Sequence, residues 1–190
     1  MFIEFFNIIL RSIKLDKTLY NDTENFGETS IYYSIIIILL MSLISLVPGS
    51  VLYEHMGNIF GVTDTIKGPS LRNVIIMSFV IWFIKTGYLY FVGVVLFPSE
   101  STKGDFRKLL IMVAYANAPF IFYILIIDIT LIYFTFAIYL WYCLTLIIGM
   151  KQILKYENYF KPIVISLAPQ CLLLIYFLYF ASSFNKGVIS

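Results

Sequence analysis

Charge is scarce in this sequence. Lys, Arg, Asp and Glu make up 13% of the 190 residues, about half of the roughly 25% that is usual in soluble domains. The 13 basic residues are scattered along the chain and do not form the cluster that nucleic acid binding requires. The low charge therefore excludes an ordinary soluble domain and argues against nucleic acid as a partner.

The residues that most often carry chemistry are also rare. The only histidine, His55, has no serine or cysteine nucleophile motif beside it, and the only cysteines, Cys143 and Cys171, lie in apolar runs as reduced packing residues. There is no H-E-x-x-H motif and no glycine-rich phosphate loop. We predict a non-enzymatic protein without catalytic residues, cofactor or metal.

Apolar residues dominate the chain, at 61% of the sequence with a mean hydropathy of +0.91. A membrane-spanning helix needs about 20 mostly apolar residues, and no repeat or low-complexity linker divides the chain. The sequence predicts an all-α polytopic membrane protein, one membrane domain over 1–190, with five spans at about 31–53, 73–97, 109–127, 131–150 and 162–183.

The division between the third and fourth spans is the weakest, because 109–150 is almost continuously apolar. Such a run is about 63 Å of helix, roughly twice the hydrocarbon core of about 30 Å. Asp128 and Thr130 are both residues that cap helices. We predict a tight hairpin there, and we predict that Pro162 lies in the first turn of the fifth span.

The first 30 residues are too charged for a secretory signal and predict a short interfacial amphipathic helix. Its polar stripe comprises Glu4, Asn7, Arg11, Lys14 and Thr18, and its opposite side comprises Phe2, Phe5, Phe6, Ile9, Ile13 and Tyr20. The apolar side faces either lipid or the other spans. In the first case Arg11 and Lys14 are the candidates for contact with the membrane surface.

The basic residues indicate the orientation. With five spans, nine Lys and Arg lie on the side of the N-terminus and three on the other side, and Lys85 lies within a span. By the positive-inside rule the N-terminus is cytoplasmic and the C-terminus is outside.

Lys85 lies at the centre of the second predicted span, where a cation costs about 2.5 to 3.5 kcal/mol on insertion scales. It either faces a cavity or an anionic headgroup, or it is a snorkelled or hydrogen-bonded lysine without a specific role. Asp128 is the acidic candidate partner within the apolar runs, but its place at the hairpin favours a helix cap.

The most specific local pattern is GDFRKLLIMVAYANAPF at 104–120. It contains two alanines at the spacing that allows close helix approach, an asparagine that needs a partner in hydrocarbon, and a proline that breaks the hydrogen-bond ladder. A proline beside a glutamine repeats this more weakly in the fifth span. We predict a kink at each proline. The residues around the two prolines form either an interaction site or plain helix packing. They are Ala114, Tyr115, Asn117, Ala118, Pro119, Pro169 and Gln170.

The sequence AYANAP at 114–119, preceded by Gly104 and Lys108-Leu109-Leu110 and followed by Leu146-Ile147-Ile148-Gly149, resembles the Yip family. These are Ypt/Rab GTPase-interacting membrane proteins and their prokaryotic relatives. The resemblance implies five spans and a cytoplasmic N-terminus. The chain differs from eukaryotic trafficking members in its short N-terminal region and in having LVPGS at 46–50 in place of Asp-Leu-Tyr-Gly-Pro. This argues against direct binding of Rab-type GTPases.

Three functions follow as expectations. The first is an accessory or scaffold module that binds other membrane proteins, a second copy or lipids, in the inner membrane of a bacterium. The second is a small transporter or permeation subunit with Lys85, Asn117 and Gln170 at a midplane site. The third, a vesicle-trafficking factor of the ER or Golgi, applies if the source is eukaryotic.

Overall fold

The computed structural model describes residues 2–22, 28–46, 70–98, 104–125 and 132–171. These residues are helical with short connections and include no strand. The helices are α1 (Phe2–Ile13), α2 (Lys17–Asp22), α3 (Thr29–Ile44), α4 (Leu71–Tyr90, continued by a π-helix at Phe91–Leu96), α5 (Phe106–Ala116, followed by a 3₁₀-helix at Ala118–Leu125), α6 (Ile132–Ile153) and α7 (160–171).

Three helical segments of the described chain are long and apolar enough to cross a membrane, namely Leu71–Leu96, Phe106–Leu125 and Tyr133–Ile153. They correspond to the second, third and fourth predicted spans. α3 is a shorter apolar helix, and α7 begins where the fifth span was expected. Residues 47–53 and 172–183 of the first and fifth predicted spans lie outside the described residues, so the count of five remains a prediction.

The division predicted for the long apolar run at 109–150 falls at 126–131, outside the described residues, and remains a prediction. The 3₁₀-helix ends at Leu125, and α6 begins at Ile132. Asp128, the predicted cap, lies outside the described residues. Pro162 lies in the first turn of α7, where its missing N–H costs no intrahelical hydrogen bond.

α5 is the centre of the bundle and contacts α1, α3, α4 and α6. Every residue of 109–116 is buried, and 56% of the most apolar stretch of Phe106–Leu125 is buried, against 22% for Leu71–Leu96. Helices in lipid associate through van der Waals packing, and α5 is packed in this way by its neighbours along 109–116.

The N-terminal segment consists of two helices, so the prediction of one continuous stripe through Thr18 was wrong. The α-helix ends at Ile13, and Leu15 adopts a left-handed backbone with φ 56°. The turn is closed by Arg11, whose Nε donates to Asp16 Oδ2 at 2.8 Å and whose Nη2 donates to Thr18 Oγ1 at 2.7 Å. Tyr20, on α2, is buried in the core.

One of the two alternatives for the apolar side of α1, packing on the other helices, holds for part of that side, and contact with lipid remains a prediction. Ile8, Ile9 and Ser12 are buried against the bundle, and Ser12 Oγ donates to the Tyr115 carbonyl at 2.7 Å. A neighbouring apolar strip remains exposed, formed by Ile3, Phe6 and Leu10. α1 therefore packs on the spans along one side and has a second apolar side that is not covered by the described chain.

Candidate functional site

A half-open cavity of about 230 Å³ lies between α3, α4, α5 with its 3₁₀ extension, and α6. Most of its lining is apolar, and its polar side chains include Ser42, Ser78, Lys85, Asn117, Tyr123 and Tyr139. Small-molecule sites are mostly apolar clefts with a few polar groups that converge on the ligand. This cavity is therefore the candidate site.

Lys85 lies beside the aromatic face of Tyr142. The ammonium nitrogen is 4.3 Å from the ring centroid, within the range of a cation–π interaction. The ring is held in place by stacking on Phe120, with centroids 4.9 Å apart and an angle of 21° between the planes. No carboxylate is among the described residues that line the cavity, so the ring is the recorded compensation for this charge.

Asn117 lies where the α-helix of α5 gives way to the 3₁₀-helix. Its Nδ2 donates to the Val113 carbonyl, one turn back, at 2.6 Å. The change of winding follows from Pro119, which lacks an N–H and crowds the preceding turn, and it is the disruption that the sequence predicted. One amide hydrogen and the amide oxygen of Asn117 remain for the cavity.

The serines of α3 are already engaged. Ser42 Oγ donates to the Ile38 carbonyl at 2.6 Å, and Ser45 Oγ donates to the Ser42 carbonyl at 2.8 Å. A hydroxyl has one hydrogen, so these serines offer acceptor oxygens and no donor in this arrangement.

The cavity lies between one end of the bundle and its middle. Ser45 and Tyr123 are close to the ends of α3 and of the 3₁₀-helix, whereas Lys85 lies about four turns into α4, roughly 20 Å along the axis at 1.5 Å per residue. Lys85 therefore lies at the end of the cavity that is farther from the helix ends. Under the predicted topology the shallow end faces away from the cytoplasm.

The structure brings together only part of the predicted midplane site. Lys85 and Asn117 line the same cavity, but Gln170, with Pro169 on α7, is not among its lining residues. Gln170 Nε2 is buried without a hydrogen-bond partner. The candidate partner Asp128 lies outside the described residues.

The residues of the AYANAP motif other than Asn117 are buried in the helix packing. Ala114, Tyr115 and Ala118 are fully covered, and Pro119 is buried. Tyr115 also contributes its carbonyl to the contact with α1. The alanine pair is buried within the chain, and these residues form no surface.

The surface charges of the N-terminal segment are organised locally. The hydrogen bond from Arg11 lowers the pKa of Asp16 to about 2, and a hydrogen bond donated by the Tyr33 hydroxyl, 2.8 Å from the Glu4 carboxylate, lowers the pKa of Glu4. Lys14 is exposed. Arg11 is thus engaged in closing the turn, which the sequence prediction of a membrane-surface role did not anticipate.

Sequence reasoning missed the aromatic lining of the cavity. Trp82 and Tyr142 both line it, and Trp82 Nε1 donates to the Leu110 carbonyl at 2.9 Å, which fixes α4 against α5. One signal was present: Ser78, Trp82 and Lys85 follow helical spacing and therefore share one face of α4.

The sequence model described as the Yip1 domain matches residues 21–181, which is well over half of the chain. No curated protein and no solved structure matches the sequence.

Proposed function

The chain belongs to the Yip family, and on this premise we propose that it is a non-enzymatic integral membrane module of five spans that binds other membrane proteins as an accessory or scaffold subunit. The N-terminus is cytoplasmic and the C-terminus is outside.

The observation that supports this function is the outer face of α4, which the described part of the chain does not cover. Met77, Val80 and Ile84 follow each other at helical spacing and are 54%, 42% and 67% exposed. The small residues of α5, which favour close helix contact, are buried by packing within the chain and are not available to a partner. A lateral partner would therefore bind to α4 rather than to the AYANAP motif.

Photo-crosslinking in the native membrane tests this proposal. A benzophenone amino acid at Ile84 should give a discrete adduct with one membrane protein, and the same probe at Leu144, which is 51% exposed on α6, should give lipid adducts only. Lipid adducts alone at both positions would contradict a scaffold that acts through α4.

The topology is tested separately with a C-terminal reporter. The nine-to-three distribution of Lys and Arg predicts that the reporter is outside. A cytoplasmic reading would contradict the five-span arrangement.

A second candidate, a permeation subunit, is favoured by the cavity that contains Lys85 and Asn117. Discontinuous helices and intramembrane polar groups occur at transport sites. The discriminating change is Lys85→Leu: loss of solute flux in proteoliposomes with normal assembly supports transport, whereas loss of a cross-linked partner without a change in flux supports the scaffold.

A further inference from the structure

We propose that the cavity between α3, α4, α5 and α6 is a binding site for a small oxyanion group, a carboxylate or a phosphate, that pairs with the Lys85 ammonium. The site goes beyond the scaffold function, because it takes a small anion between the helices rather than a protein on the outer face of α4. Its test is independent of any protein partner.

The first argument is charge. A buried ammonium requires a counter-charge or strong hydrogen bonds. Lys85 has neither among the described residues: its recorded interaction is with the Tyr142 ring. A ring face attracts the cation without accepting its hydrogen bonds in the usual sense, so the N–H groups directed away from the ring remain available.

The second argument is the balance of donors. Asn117 lines the same cavity and keeps one amide hydrogen after donating to Val113. Donors of this kind around a cation match an anionic oxygen better than they match a second cation or an apolar ligand.

The third argument is room and access. About 230 Å³ is far more than a single water requires, and it accommodates a carboxylate or phosphate with a few further atoms. The cavity is half-open, and its lining includes residues near the helix ends, such as Ser45 and Tyr123. The open side gives access to an anion from the water or to a lipid headgroup.

Trp82 supplies the measurement, because it lines the cavity together with Lys85 and the chain has only two tryptophans. In the Trp141→Phe background, Trp82 fluorescence in nanodiscs of neutral lipid is quenched with iodide, an anion, and with acrylamide, which is uncharged. Charged clefts concentrate counter-ions. We expect iodide quenching to be about tenfold weaker in Lys85→Met than in the parent, with acrylamide quenching unchanged.

Two further variants complete the series. Lys85→Arg keeps the charge and should retain iodide quenching, whereas Lys161→Met removes a lysine outside the cavity and should change nothing. If iodide quenches Trp82 fluorescence equally in the parent and in Lys85→Met, the proposal is overturned.

Competition identifies the source of the anion and needs no variant at Lys85. Saturable relief of iodide quenching by acetate or inorganic phosphate indicates a site for a free oxyanion. Relief only when phosphatidylglycerol replaces phosphatidylcholine in the nanodisc indicates a lipid headgroup. Absence of relief by all three would overturn the proposal even if Lys85→Met failed to fold.

Discussion

Replacing Tyr156 by Phe should weaken the contact between the end of α4 and the segment that follows α6. The Tyr156 hydroxyl is 2.7 Å from the Gly93 carbonyl and 3.1 Å from the Phe97 carbonyl. Gly93 belongs to the π-helical end of α4, where the usual ladder of the α-helix is shifted, and Phe97 caps that end. The hydroxyl has one hydrogen, and its shorter contact is with the Gly93 carbonyl.

The size of the effect follows from burial. Tyr156 is 4% exposed, and a buried acceptor that loses its donor costs about 1 to 3 kcal/mol. The ring itself is retained in Phe, so the packing against Gly93 changes little. We expect the free energy of unfolding, measured by SDS titration in mixed micelles, to fall by about 2 kcal/mol.

Alkaline pH offers a second readout. Burial raises the pKa of Tyr156 to about 12 from its ordinary value of 10. A raised pKa in the folded state means that the stabilisation is complete below pH 10 and is lost as the pH rises from 10 to 12. The Phe variant should lose part of this alkaline destabilisation. Tyr133→Phe, at a side chain that is 83% exposed, is the matched control, and an equal unfolding midpoint in the two variants would refute the reasoning.

Three further changes test the packing and the N-terminal turn. Gly149→Ala should lower the free energy of unfolding by about 1 to 3 kcal/mol, because the added Cβ would lie 2.7 Å from Met112 Cγ; an unchanged thermal midpoint would contradict the contact. Ala114→Leu should overpack α5 and reduce the yield of monodisperse protein on size exclusion, whereas a yield like that of the parent would show that the site has room. Asp16→Asn should remove a stabilisation of about 1 kcal/mol at most for this partly exposed pair with Arg11. That stabilisation is present above pH 4 and is lost as the pH falls from 4 to 2, because the folded pKa of Asp16 is lowered to about 2; a variant with the same acid profile as the parent would contradict it.

The elements that sequence predicted well are those set by local chemistry. Pro119 interrupts the α-helix where a missing donor requires it, and Pro162 lies in the first turn of α7. In each case the residues next to the feature in the sequence are sufficient to explain it.

The contacts that sequence could not predict join residues far apart in the chain. Tyr156 meets Gly93, Ser12 meets Tyr115, and the Lys85 ammonium meets the Tyr142 ring. A spanning helix is apolar on the side that faces lipid and on the side that faces protein, so periodicity does not separate the two sides as it does for a soluble helix. The pairing of faces is decided by shape, which a single sequence does not display.

Because the AYANAP motif at 114–119 is buried, substitutions in it test folding and do not test partner binding. Substitutions at Ala114 or Ala118 act on a position surrounded by other helices, so a lost interaction in such variants follows from lost folding. Substitutions at Ile84 change an exposed side chain and leave the core intact. Partner binding that is lost at Ile84 with unchanged stability would therefore separate recognition from folding, which no substitution within the motif can do.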